Sequence, residues 1–159
     1  MNSSSVPVSA ERPERLRVVG IGASAGGLES LERFFGNLPP EPGMSFVVVQ
    51  HLSPDFRSMM DELLSRHCDM PVQLAEHDVA VEPNHVYLLP PKKEMTIKNG
   101  RFLLNDKETH GIALPIDLFF HSLAKDLGSD AVAIVLSGTG SDGWRGVREV
   151  KRAGGRVLV

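Results

Sequence analysis

Arg17-Val-Val-Gly-Ile-Gly-Ala-Ser-Ala-Gly-Gly-Leu-Glu-Ser-Leu31 decides the fold. It reads as a short apolar strand, a glycine-rich turn and the opening of a helix. Val18, Val19 and Ile21 are β-branched and suit a buried strand. Leu28, Leu31, Phe34 and Phe35 then recur at helical spacing. Ser24 stands at the crest between the two. A serine there presents its hydroxyl near free N–H groups and the positive end of a helix dipole.

Three readings compete for the crest. Gly20, Gly22 and Ala25 fit the G-x-G-x-x-G/A pattern of a dinucleotide site. That pattern also asks for an acid about 20 residues later, at the end of the next strand. The next strand is Phe46-Val-Val-Val-Gln-His51, and it delivers a histidine there. The second reading is a nucleophile elbow, since Gly22-Ala-Ser-Ala-Gly26 fits G-x-S-x-G on a strand–turn–helix. A serine nucleophile needs a histidine base, which His51 supplies. The third reading is a plain turn with Ser24 as helix N-cap.

Downstream, the proline-rich Leu38-Pro-Pro-Glu-Pro-Gly43 stops the helix. A strand over 45–50 follows, and two strands joined by a helix imply a parallel βαβ unit. A second helix is expected over 56–66, with Met59, Met60, Leu63 and Leu64 as its apolar face. Pro71–Ala75 and His85–Pro90 are candidate strands. Glu94–Lys98 and Arg101–Leu104 flank Asn99-Gly100, a strong hairpin signal. A polar loop over 105–114 leads to a helix over 115–127, with Pro115 in its first turn. Ala131-Val-Ala-Ile-Val-Leu136 is continuously apolar, as a central parallel strand should be. Ser137-Gly-Thr-Gly-Ser-Asp-Gly143 lies at its carboxyl end, before a helix over 144–153 and a final strand from Arg156. The fold class is therefore α/β: a doubly wound, mostly parallel sheet with helices on both faces and an inserted antiparallel hairpin.

The chain has 159 residues, 42% hydrophobic and 23% charged, with net charge −3, as expected of one ordinary soluble domain. Mild acidity argues against nucleic acid as a partner. There is no apolar run long enough to span a membrane and no signal-peptide core, so direct membrane insertion is not expected. The single cysteine, Cys68, is compatible with a reducing cytoplasm. His67-Cys68-Asp69 lacks zinc spacing, so no metal is expected, and no cofactor either. Residues 1–15 are polar and read as a disordered lead-in to a domain over 16–159.

Ser24, His51 and Asp142 thus fall just beyond the ends of buried parallel strands, where open α/β sheets bind ligands. Each has a dull explanation: a cap, a loop histidine, a second cap. Together they supply a nucleophile, a base and an acid.

Gly22-Ala-Ser-Ala-Gly-Gly27, Val49-Gln-His51, Tyr87-Leu-Leu-Pro-Pro91 and Leu136-Ser-Gly-Thr-Gly-Ser-Asp-Gly143 resemble, in this order, the catalytic domain of the chemotaxis methylesterase (CheB-type) family. The resemblance runs from Arg17 to Val159. It implies a Ser-His-Asp triad that hydrolyses glutamyl methyl esters on chemoreceptor signalling helices, with glutamine deamidation in some members. Matched motif by motif, the nucleophile falls on Ser24, the base on His51 and the orienting acid on Asp142. The oxyanion-hole N–H groups fall near Ala25 and Thr139. The order Ser…His…Asp differs from the α/β-hydrolase order. The wording of Phe46–Pro54 and Pro115–Phe120 is closer to hybrids fused to a methyltransferase, which makes a fused or associated methyltransferase a further expected partner. Classical members carry an N-terminal phosphoacceptor receiver domain that occludes the site until phosphorylated, and with only about 16 residues before the first strand, control of that kind is not expected here. The family's domain also continues past Val159, so a truncated carboxyl end is expected. The rival from another class is a catalytically idle regulatory or binding module of the same fold.

Overall fold

The structure, a computed structural model, describes residues 15–24, 26–50, 60–107, 114–136 and 141–159. Six strands form one sheet: β1 (Val18–Ala23), β2 (Ser45–Gln50), β3 (Val72–Leu74), β4 (Val86–Leu88), β7 (Ala131–Leu136) and β8 (Arg156–Leu158). Their order is β3-β4-β2-β1-β7-β8, and every neighbouring pair is parallel. The chain winds outward from β1 first to one side and then to the other. The doubly wound sheet read from the sequence is therefore present.

The central strands are buried on both faces, so their apolar residues divide by parity. Val19, Ile21 and Ala23 of β1, with Phe46 and Val48 of β2 and Ile134 of β7, pack against Leu31 and Phe35 of α1 (Leu28–Gly36) and Met60 and Leu64 of α2 (Met60–Ser65). Val18, Val47, Val49, Ala131 and Ala133 face the other way. They meet Ile116, Phe119, Phe120 and Leu123 of α3 (Pro115–Leu127) and Val150 of α4 (Trp144–Arg152). The part of the expected second helix that precedes Met60 lies outside the described residues.

The antiparallel hairpin is β5 (Lys93–Lys98) with β6 (Arg101–Asp106). Asn99 and Gly100 sit at φ of 53° and 70°, as a two-residue primed turn requires. Met95, Ile97 and Phe102 tuck the hairpin against α3 as part of the core. β6 runs two residues further than the expected end at Leu104, because Asn105 and Asp106 still pair with Glu94 and Lys93. A hydrogen bond from the Lys93 ammonium, 2.5 Å away, holds the exposed Asp106 carboxyl below its usual range.

Glycines make the room in which α3 packs against β1 and α4. A Cβ built on Gly22 would stand 2.8 Å from the Ile116 side chain. One on Gly20 would stand 2.9 Å from the Phe120 ring, and one on Gly146 of α4 would stand 2.4 Å from Phe120 Cβ. Gly22→Ala is expected to lower unfolding free energy by about 1–3 kcal/mol, the cost of overpacking a filled core. Gly26→Ala is the matched control, since its Cβ meets nothing within 4 Å among the described residues, and should stay within about 0.5 kcal/mol. Denaturant midpoints of the two variants check both values.

Tyr87 is buried under the hairpin, and its hydroxyl accepts the Glu82 N–H at 2.9 Å. Burial pushes its pKa above the usual 10.0. Above about pH 10 the unfolded chain releases a phenolic proton that the folded chain retains. Stability from this group is complete below that point and declines as pH rises through the folded value. Tyr87→Phe should therefore flatten the alkaline decline. It should also cost about 1 kcal/mol at pH 8 through the orphaned Glu82 N–H. Urea unfolding between pH 8 and 11 measures both.

Candidate active site

Ser24 follows the last residue of β1 and is half-buried. Its carbonyl accepts two hydrogen bonds, from the Gly27 N–H at 2.9 Å and from Gln50 Nε2 at 2.8 Å. Gln50 is the last residue of β2 and is buried. Its side chain pins the crest of the β1 turn to the end of the neighbouring strand. This bond fixes the backbone at Ser24. The cap of α1 is Gly27, with no side-chain hydrogen bond to the cap N–H groups, so the reading of Ser24 as that helix's N-cap gives way.

Asp142, which follows β7 by six residues, is only 2% exposed. A buried carboxylate needs partners. Oδ2 accepts the Ile116 N–H at 3.0 Å and Oδ1 accepts the Asp117 N–H at 2.8 Å. Both donors are free first-turn amides of α3, where the helix dipole adds to each charge-assisted bond. Asp142 therefore does not cap the helix it precedes. That helix, α4, has Gly143 as N-cap and no side-chain cap bond. Asp142 instead reaches across to a helix that starts 27 residues earlier, at Pro115.

A chain of contacts links the two sites. Asp142 holds the amide of Ile116, and the Ile116 side chain lies against Gly22, two residues before Ser24. Asp117 returns the hydrogen bonds: its Oδ1 accepts Gly143 N–H at 3.0 Å and Gly146 N–H at 2.7 Å. Ser24 directly follows β1, and Asp142, six residues past the end of β7, lies against the first turn of α3. The assignments of His51, Ala25 and Thr139 fall outside the described residues.

Gln50 and Asp117 are the polar residues that the sequence reading passed over. Gln50 had a signal, as the one polar residue closing an otherwise apolar strand run, Phe46–Val49. Asp117 had only an acidic position in a helix's first turn, which usually means a dipole contact within the same helix.

Beside this edge lies an open cavity of about 560 Å³, lined by Gln50, Leu89, Pro91, Pro115, Leu118 and Arg145 among others. Its volume is that of an ordinary ligand pocket, and its lining is mixed, with Lys93, Asp117 and Glu149 beside the apolar residues. Among the described residues, no three His, Cys, Asp or Glu side chains converge as metal ligands. Burial pushes the Cys68 thiol pKa up, which makes it a poor thiolate. No helix among the described residues is long and apolar enough to cross a membrane.

A doubly wound parallel sheet with a serine after β1 and a buried aspartate after β7 defines an α/β domain of the class that generally binds ligands at the carboxyl end of the sheet. Residues 19–159 match the family model for the CheB methylesterase. The chain belongs to the CheB methylesterase family. It is 36% identical over 165 residues to the "Protein-glutamate methylesterase/protein-glutamine glutaminase 1" of Xanthomonas campestris pv. campestris, covering 100% of this chain and 46% of that protein. It is 48% identical over 100 residues to an uncharacterized 104.1 kDa protein of Rhodobacter capsulatus, covering 63% of this chain and 10% of that one. The crystal structure of the Thermotoga maritima CheB methylesterase catalytic domain superposes with a TM-score of 0.78 at 31% identity. That match covers 89% of this chain and 78% of the other. The chain thus spans about half the length of the curated methylesterase relatives it matches, or less. The dinucleotide reading of Gly20, Gly22 and Ala25 is set aside by this membership.

Proposed function

We propose that this domain is a serine esterase with Ser24 as nucleophile, His51 as general base and Asp142 as the acid that orients the imidazole. Its substrates are glutamyl methyl esters on chemoreceptor-type signalling helices, in chemotaxis adaptation or a related cytoplasmic pathway. Glutamine deamidation by the same groups is the secondary activity, and a fused or associated methyltransferase is the matching partner. The observation that supports this most is Asp142: a buried carboxylate locked in one orientation by two backbone N–H groups, at the sheet edge that also carries Ser24.

The steps follow from the groups. Ser24 Oγ attacks the ester carbonyl carbon while its proton passes to His51. The carbonyl π electrons move to oxygen, and that oxyanion is met by the backbone N–H groups assigned to Ala25 and Thr139. When the tetrahedral intermediate collapses, the C–O bond to the methoxy group breaks. Methanol leaves with the proton from His51. Water then attacks the acyl-enzyme with His51 again as base, which releases the glutamate carboxyl group and restores Ser24. Throughout, Asp142 holds the imidazole tautomer and stabilises the imidazolium. No metal or cofactor takes part in any of these steps.

The test is reaction with a serine-directed phosphonofluoridate followed by peptide mapping. The expected result is a single adduct on Ser24 that disappears in His51→Ala. An adduct elsewhere, or full labelling of Ser24 without His51, overturns the assignment.

A further inference from the structure

Asp142 and Asp117 exchange carboxylates. Each side chain accepts two backbone N–H groups from the amino-terminal turn that carries the other. The exchange is closest at Asp142 itself. The Asp117 N–H holds Asp142 Oδ1. Asp117 Oδ1 holds the N–H of Gly143, whose nitrogen belongs to the peptide plane that begins at the Asp142 carbonyl carbon. One residue thus grips Asp142 at its carboxylate and at its peptide plane. Gly143 has φ of 106°, in the left-handed region that glycine tolerates. Without the bond to Asp117, that joint is the natural place for the Asp142 backbone to swing.

We infer that Asp117 is a positioning residue for the hydrolysis, acting through Asp142 by this reciprocal capping. The inference rests on the triad reading above. Among the described residues, only one Asp117 oxygen is engaged. Oδ2 is buried and meets no donor among the described residues. An asparagine whose carbonyl takes the place of Oδ1 therefore keeps both bonds, whereas alanine loses both.

A matched control lies at the other end of the same helix. Asp126 also accepts two backbone N–H groups, from Asn99 at 2.7 Å and Gly100 at 3.0 Å. Its bonds hold the hairpin turn and touch neither Ser24 nor Asp142. It measures what losing a two-bond carboxylate cap does to this fold in general.

The experiment compares Asp117→Ala, Asp117→Asn, Asp117→Glu and Asp126→Ala. Three quantities are read: thermal midpoint, kcat and KM on a peptide bearing a glutamyl γ-methyl ester, and the rate of phosphonofluoridate labelling at Ser24. Misplacing an orienting group costs on the order of 10²-fold. In Asp117→Ala, kcat and the labelling rate should fall about 10- to 100-fold, with KM within about threefold. Asp117→Asn should recover to within about fivefold of the parent, because one oxygen suffices for both bonds. Asp126→Ala should lose a similar amount of thermal stability and keep its kcat. If Asp117→Ala does not fold, Asp117→Glu carries the comparison, since it keeps the charge and displaces the oxygens by one methylene. A folded Asp117→Ala or Asp117→Glu with unchanged kcat overturns the inference. So does an equal loss in Asp126→Ala, or an asparagine variant as impaired as alanine with a raised KM. If the parent takes label at Ser24 and the Asp117 variants take it equally fast, the inference falls and the triad reading stands. A parent that turns over ester without any label at Ser24 removes the triad reading, and the inference with it.

Discussion

Ser24→Ala is expected to remove ester turnover almost completely, by about 10⁴-fold or more in kcat, while the domain unfolds at the same denaturant concentration as the parent. Loss of the nucleophile of a triad costs on that order, because base and acid then have nothing to activate. The fold should not notice. Among the described residues, the Ser24 contacts that hold the turn run through its backbone carbonyl, to Gly27 N–H and Gln50 Nε2, and alanine retains that carbonyl. α1 is capped by Gly27 rather than by the Ser24 hydroxyl. Kinetics on a glutamyl methyl ester peptide, paired with urea unfolding, measures both halves. Turnover that survives would place the nucleophile elsewhere.

Asp142→Asn is expected to lower kcat by about 10³- to 10⁴-fold and unfolding free energy by about 1–3 kcal/mol. The rate loss corresponds to about 4–5.5 kcal/mol of transition-state stabilisation, so it exceeds the stability loss. The two effects have separate causes. An amide cannot hold the histidine tautomer that a carboxylate imposes. For the fold, the Asn oxygen can accept one of the Ile116 and Asp117 N–H groups, but its NH₂ then faces the other donor across a buried gap. One α3 amide is left unsatisfied. If Asp142 served α3 alone, kcat per folded molecule would be unchanged, and activity would fall only with the unfolded fraction. Measuring kcat well below the variant's melting range distinguishes the two.

Much of this was legible in the residues. Continuous apolar runs such as Ala131–Leu136 read as central strands because both their faces are covered, which removes the alternation that a half-exposed strand shows. Asn99-Gly100 marked its hairpin because few dipeptides accept two consecutive positive φ angles. The crest at Ser24 was visible from the strand–glycine–helix pattern, although the G-x-S-x-G pattern alone left the crest's purpose open. The parts that stayed hidden depend on tertiary geometry. Nothing local to Asp142 indicates that its oxygens bond to amides 25 and 26 residues upstream, because backbone N–H groups have no residue identity to read. Asp117 was overlooked for the same reason, since its partners are the amides of Gly143 and Gly146. The extension of β6 to Asp106 was missed because its last cross-strand pair is an exposed Lys93–Asp106 contact, with none of the apolar character by which strands are recognised.

The close seat of α3 on β1 and α4 also constrains how related sequences can drift. Ile116 fills the space that a side chain on residue 22 would need, and Phe120 fills it for residues 20 and 146 at once. Positions 22 and 116 should therefore vary as a pair, with a methyl gained at one accepted when volume is given up at the other. Position 120 has no such simple exchange, because it answers to two partners on two elements. Among functional variants recovered from a library randomised at these five positions, alanine at 22 should co-occur with alanine at 116, since valine would keep the γ-methyl that stands 2.8 Å from the added carbon. Phe120 and its two glycines should be retained together.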